Sequence, residues 1–175
     1  MALMRQPDPA APDVLPDLLA PGLDLVICGS AAGTVSAVRG AYYAHPQNRF
    51  WPILATTGLT PRRLAPEEYP LLPGFGIGLT DMTKTEYGAD AVLRTADPAR
   101  LATAIARIRP RVLAFNGKRA AGLFLGRRGP DFAYGRHADD IGGTAVFVLP
   151  STSPLAVAFW DPAPWQEMAA FVRRR

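Results

Sequence analysis

Side chains able to do chemistry gather in four short stretches of this 175-residue chain: CGSAAG (28–33), LTDMTKT (79–85), FNGKR (115–119) and LPSTSPL (149–155). The last offers three hydroxyls in a proline-bounded turn, and small hydroxyls with free amides bind phosphate oxygens well. A plain capped loop is the alternative reading. Asn116 in FNGKR carries an amide that can read a donor–acceptor pair on a nucleobase, and Asn-Gly is equally a turn former. LTDMTKT brings a carboxylate, Asp81. CGSAAG holds no acid, base or strong nucleophile beyond the Ser30 hydroxyl. It fails the GxGxxG dinucleotide pattern and no Walker lysine follows it, which weakens any nucleotide-cofactor reading. A small-molecule α/β enzyme using this turn for phosphate is disfavoured on the same grounds.

All four stretches follow apolar runs. LDLVICG, FGIGLTDM, VLAFNG and TAVFVLPS read as buried strands. Between them NRFWPILATTGL reads as a helix, with Pro52 in its first turn and Gly58 as its stop. ADPARLATAIARIRP starts a helix at Asp-Pro and places Leu101, Ile105 and Ile108 on one face. GKRAAGLFLG and PAPWQEMAAFVRRR read as the remaining helices, and GRHADDIGG as a polar, turn-rich loop. Strands alternating with helices predict a parallel sheet covered on both faces. Ligands of such sheets bind beyond the carboxyl ends of the strands, where the four polar stretches fall. The expected architecture is α/β, a three-layer α/β/α sandwich around a four-stranded, mainly parallel sheet. Residues 1–20 read as an extended or disordered arm, and 21–175 as a single domain; Met1 to Gly22 carries five prolines.

With 49% hydrophobic and 19% charged residues, the composition is that of a globular chain. No run approaches the roughly 18 apolar residues that span a bilayer, and the first residues lack the apolar core of a secretory signal. The single cysteine, Cys28, excludes an internal disulfide framework and fits a reducing cytoplasm, where a nucleoid-associated protein would work. Within LDLVICG it reads as a small core residue. The net charge of +4 and a pI near 9.6 permit nucleic-acid binding without proving it. Arginine dominates the basic residues, and it suits bidentate phosphate contacts.

The most specific stretch is YYAHPQNRFW (42–51), a tyrosine pair before a His-Pro turn that opens an aromatic helix. GSAAG, YAHPQNRFW, LTDMTK, FNGK and LPSTSP in that order resemble the uracil-DNA glycosylase superfamily, closest to its mismatch-specific uracil and thymine-DNA glycosylase branch. The resemblance runs from about Gly22 to Val172. It implies hydrolysis of an N-glycosidic bond in DNA, a flipped nucleotide, DNA containing uracil or an abasic site as partner, and no metal or organic cofactor, membrane or obligate protein partner. It implies that Tyr43 stacks on the flipped base, with Phe50 beside it. The loop from Gly29 through Ala31 to Gly33 would lie under base and sugar, its amides open to a pyrimidine carbonyl. Asn116 would read the uracil edge, and His45 and Asn48 would support the pocket. Ser151, Thr152, Ser153 and Leu155 would pinch the DNA backbone, with Leu155 as wedge, and Lys118 and Arg119 would add basic contacts.

One departure stands out. The family's first motif is typically G-[IV]-N-P-G, and its Asn positions the attacking water; here that position is Ala31, followed by Ala32. Asp81 is the expected replacement, since a carboxylate at this strand end can orient water and stabilise a cationic sugar. Ser30 is a second candidate, with Thr83, Lys84 and Glu86 behind it. Two other readings stay open: a glycosylase for another deaminated base such as hypoxanthine, and a non-catalytic binder of damaged or abasic DNA. His137, Asp139 and Asp140 read as surface residues far from the strand ends.

Overall fold

The computed structural model describes residues 11–89 and 94–174. Strands β1 (Leu25–Gly29), β2 (Ile77–Asp81), β3 (Val112–Asn116), β4 (Gly135–Arg136) and β5 (Ala145–Leu149) form one sheet in the order β2-β1-β3-β5-β4. β1 pairs in parallel with β2 and β3, and β3 with β5. These four strands are buried along their whole length. That burial explains why they read as continuous apolar runs rather than alternating ones.

Helices α1 (Thr34–Arg39), α2 (Phe50–Thr56), α3 (Pro98–Ile108), α4 (Lys118–Leu125) and α5 (Ala163–Arg173) complete the layers. Odd-numbered residues of β1, such as Leu25 and Ile27, pack with Phe50 and Leu54 of α2 and Trp165 and Met168 of α5. Val26 and Cys28 face the other way, against Leu101 and Ile105 of α3 and Ala120 and Ala121 of α4. Two cores on opposite faces follow from the side-chain period of two. α3 begins as its sequence dictates: the Asp97 carboxylate caps the Arg100 N–H at 2.9 Å and Pro98 takes the first helical position.

The sheet has five strands where four were expected. β4 lies within GRHADDIGG and pairs antiparallel with β5 through only Gly135↔Val148 and Arg136↔Phe147. A two-residue strand is too short for an alternating pattern to reveal it. Helix α1 was not anticipated either; only Ser36 of its six residues is buried, leaving no apolar stripe to read.

Residues 1–10 of the expected arm lie outside the described residues. From Val14 to Leu18 the chain runs along β2 as a strap. Leu18 and Leu79 exchange both backbone hydrogen bonds, at 2.9 and 3.1 Å, and the Val14 N–H donates to the Lys84 carbonyl at 2.7 Å. Leu15 is 2% exposed and belongs to the α2-side core. The strap therefore covers an edge strand that would otherwise present unpaired backbone groups. Among the described residues, no helix is long and apolar enough to cross a membrane.

Candidate active site at the strand ends

The chain leaves β1 toward the α2 face and β3 toward the α4 face, so a crevice opens where their carboxyl ends part. Gly29 ends β1 and is paired with Asp81, which ends β2. Pairing continues beyond the strands, with the Met82 N–H donating to Gly29 O and the Thr83 N–H to Ser30 O, both at 2.8 Å. These bonds hold the Asp81 side chain against the glycine turn. A Cβ placed on Gly29 would lie 2.6 Å from Asp81 Oδ1 and 3.0 Å from Tyr43 Oη. The missing side chain of Gly29 is therefore a notch with a carboxylate on one wall and a phenol on the other.

Asp81 is 3% exposed, and its carboxylate receives no hydrogen bond from a described residue; only its backbone carbonyl is engaged, by Arg100. Burial pushes its pKa up to about 7, the Lys84 charge pulls it down, Asp17 pushes it up and Arg100 pulls it down. Folding holds this proton to a higher pH than the unfolded chain does. The contribution of Asp81 to stability is thus fully present below an ordinary carboxylate pKa and is lost as pH rises through about 7. A group poised there can exchange a proton at physiological pH.

Tyr43 occupies left-handed backbone, φ 51°, unusual for an aromatic residue. Its ring stacks on Phe50 with centroids 4.0 Å apart and planes 26° off parallel. One face is covered, so a planar ligand can meet only the other. The Tyr43 hydroxyl is buried with no hydrogen-bond partner among the described residues. Burial and the Asp81 charge raise its pKa, and the Asn116 amide opposes them. The Thr83 hydroxyl is likewise buried and unpaired. A buried polar group left unsatisfied carries a cost of about 1–3 kcal/mol, and at the notch a polar ligand reaching the Tyr43 hydroxyl would relieve it. Tyr43→Phe is therefore expected to raise stability by about 1 kcal/mol while slowing the reaction, read by denaturant unfolding and single-turnover rates. A loss of stability would show that the hydroxyl is satisfied.

Residues 16–171 match the sequence profile of the uracil DNA glycosylase superfamily. The chain belongs to the uracil DNA glycosylase superfamily. Members of this superfamily are DNA glycosylases, hydrolases of base-excision repair. The fold is also that of the solution NMR structure of a candidate uracil DNA glycosylase from Methanosarcina acetivorans. That likeness has a TM-score of 0.65 and 21% sequence identity, over 91% of this chain and 97% of the other.

On this glycosylase fold the expected residues fall into three groups. Gly29, Asp81 and Tyr43 meet at the notch, and the half-buried Ala31 contributes a backbone N–H with no acceptor among the described residues. Ser30 adjoins them and is itself engaged. Phe50 is fully buried beneath Tyr43 and can reach a base only through that ring. The second group builds the walls. Asn116 Nδ2 donates to Thr152 Oγ1 at 2.9 Å and its Oδ1 accepts the Thr152 N–H at 3.0 Å, so this amide ties β3 to the 151–155 turn. Thr152 is fully buried and faces the protein, not solvent. Gly117, at φ 107°, lets the chain turn where a Cβ would press on Ser151 at 3.3 Å. Asn48 Oδ1 caps the Phe50 N–H at 3.0 Å, and His45 Nδ1 accepts the Gln47 N–H at 3.1 Å; both shape the turn into α2. A cleft of about 310 Å³ opens on their outer side and includes neither Asp81 nor Tyr43.

The third group faces solvent. Ser153 Oγ caps the Leu155 N–H at 3.2 Å, and Leu155, 90% exposed, projects from the 3₁₀ turn Pro154–Phe159 with Val157 and Phe159 also exposed. Arg119 is exposed, whereas Lys118 Nζ lies 4.6 Å from the Tyr134 ring and 5.7 Å from that of Phe132. Lys118 thereby fastens the 129–134 segment to the start of α4. The Cys28 thiol is fully buried and raised in pKa by that burial, consistent with packing rather than chemistry. Sequence reasoning missed Asp17 and Arg100, which border Asp81 from the strap and α3; nothing local in either segment marks them.

Proposed function

We propose that this glycosylase removes uracil from DNA and leaves an abasic site, with Asp81 guiding the attacking water in place of the family's usual Asn. The observation that carries this reading is the buried, unbonded Asp81 carboxylate at the Gly29 notch, beside the hydroxyl of a Tyr43 ring backed by Phe50. The base would stack on the other face of that ring, one carbonyl toward the Ala31 N–H. As the bond from C1′ to the base nitrogen breaks, its electron pair leaves with the base, and the amide stabilises the developing negative charge. The ionised carboxylate steadies the cationic sugar and accepts a proton from the water that bonds to C1′. Ala31 carries only a methyl group, which cannot hold that water, so the role falls to Asp81.

Leu155 would fill the stack vacated by the flipped nucleotide. Leu155→Ala is expected to leave stability within about 0.5 kcal/mol, as at other exposed sites. Excision from duplex DNA should slow roughly tenfold, equivalent to ~1.4 kcal/mol, with little change on single strands. Equal slowing on both substrates would remove the wedge assignment.

The test of substrate is alkali cleavage of end-labelled oligonucleotides carrying one uracil as a single strand, opposite adenine or opposite guanine, beside hypoxanthine and T:G controls. Cleavage at uracil is expected. Cleavage confined to hypoxanthine would move the specificity to another deaminated base. Tight binding of abasic DNA without any cleavage would make the protein a binder.

A further inference from the structure

The strap packs more charge beside Asp81 than an edge cover needs. Asp17 Oδ1 forms an ion pair with Lys84 Nζ at 2.8 Å and accepts from Thr80 Oγ1 at 2.7 Å, while Oδ2 accepts from Arg100 Nη1 at 2.8 Å. Lys84 Nζ is held on this side: beside that ion pair it donates to Leu15 O at 2.6 Å and to Tyr42 Oη at 3.3 Å. Tyr42 in turn donates to Pro16 O at 3.0 Å. Arg100 Nη2 reaches the Asp81 carbonyl at 2.6 Å, so the guanidinium bridges the strap and the end of β2. Two cations thus border Asp81, and both are turned toward a carboxylate that belongs to the strap.

We propose that Asp17 is a positioning residue of the active site: by holding Lys84 and Arg100 it keeps both cations from pairing with Asp81, whose carboxylate stays free for water. The inference rests on the proposed role of Asp81. The charged and titratable groups around Asp81 are Asp17 from the strap, Lys84 beyond β2, Arg100 from α3, Cys28 from β1, and Tyr42 and Tyr43 before α2. Cys28 and both tyrosines are raised in pKa and stay neutral near pH 7. The charge balance at Asp81 is therefore set by one carboxylate against two cations. Removing either sign must move Asp81 in opposite directions.

The experiment compares single-turnover excision from a uracil oligonucleotide, pH 5 to 9, in the full chain and in Asp17→Asn and Lys84→Gln. The pH at which the rate levels off should fall by about one unit in Asp17→Asn and rise by about one unit in Lys84→Gln. A strap that only braces the fold would lower both plateaus and leave the midpoint unchanged, which would overturn the inference. Carbon-13 titration of the Asp81 carboxyl in the same three proteins reads the shift without DNA or turnover, so reduced activity leaves the question decidable. If Asp17→Asn fails to fold, Lys84→Gln and Arg100→Gln must both shift the midpoint upward, and an unmoved midpoint in these two overturns the inference. A wild-type rate retained by Asp81→Asn would instead remove the Asp81 reading itself, a separate outcome.

Discussion

Asp81→Asn is expected to slow uracil excision by about 10²–10⁴-fold, the usual worth of a positioned acid–base group, while DNA affinity stays nearly unchanged. The substitution preserves size and removes only the ability to take a proton. Asp81 is buried, 3% exposed, so a change at its carboxylate adds or removes no charge at the surface where phosphates bind, and binding should not register it. Nor should the fold: the carboxylate has no hydrogen bond to lose, and a neutral amide relieves the burial of charge. The expected pattern is a lower single-turnover rate with unchanged half-saturation. A wild-type rate would return water guidance to the backbone of the glycine turn or to the neighbouring Ser30.

Gly29→Ala should be nearly as damaging, for a steric reason. The new methyl would sit 2.6 Å from Asp81 Oδ1 and 3.0 Å from Tyr43 Oη, inside contact distance of both. Relieving the contact means turning the unbonded Asp81 carboxylate out of the notch or lifting Tyr43 from Phe50, and either displaces a reacting group. Overpacking of this kind costs about 1–3 kcal/mol of stability. A displacement of the reacting groups by about 1 Å can cost 10²-fold in rate. Gly33 makes the control: a Cβ there meets nothing within 4 Å, and its backbone is extended. Gly33→Ala should fold and react like the parent. Normal excision by Gly29→Ala would mean that the notch is not where substrate or water sits.

The strand-end crevice was legible because the strands are apolar runs closed by polar turns, and because parallel sheets put such turns on one side. HPQNRFW could be read as a helix start for the same local reason: Asn48 caps Phe50 and Pro52 needs no donor in the first turn. Asp81 could be picked out as a carboxylate at a strand end. Its surroundings could not, since they depend on partners far apart in the chain. Asp17 lies 63 residues from Thr80 and 83 from Arg100, in a proline-rich segment with no periodicity. The contacts of Asn116 and Phe50 were also hidden: the amide pairs with Thr152, 36 residues away in the chain, and the Phe50 ring lies behind Tyr43. β4 escaped notice because its pairing partner, not its own two residues, makes it a strand.

The most direct measurement is the pH dependence of single-turnover uracil excision by the wild-type chain, beside Asp81→Asn. Burial lifts Asp81 to about 7, so its ionised, water-accepting form is scarce below that pH and complete above it. The rate should rise about tenfold per pH unit up to near 7 and then level, whereas Asp81→Asn should be slow and flat. No release of uracil at any pH would contradict the account, and so would a rising limb that survives in Asp81→Asn.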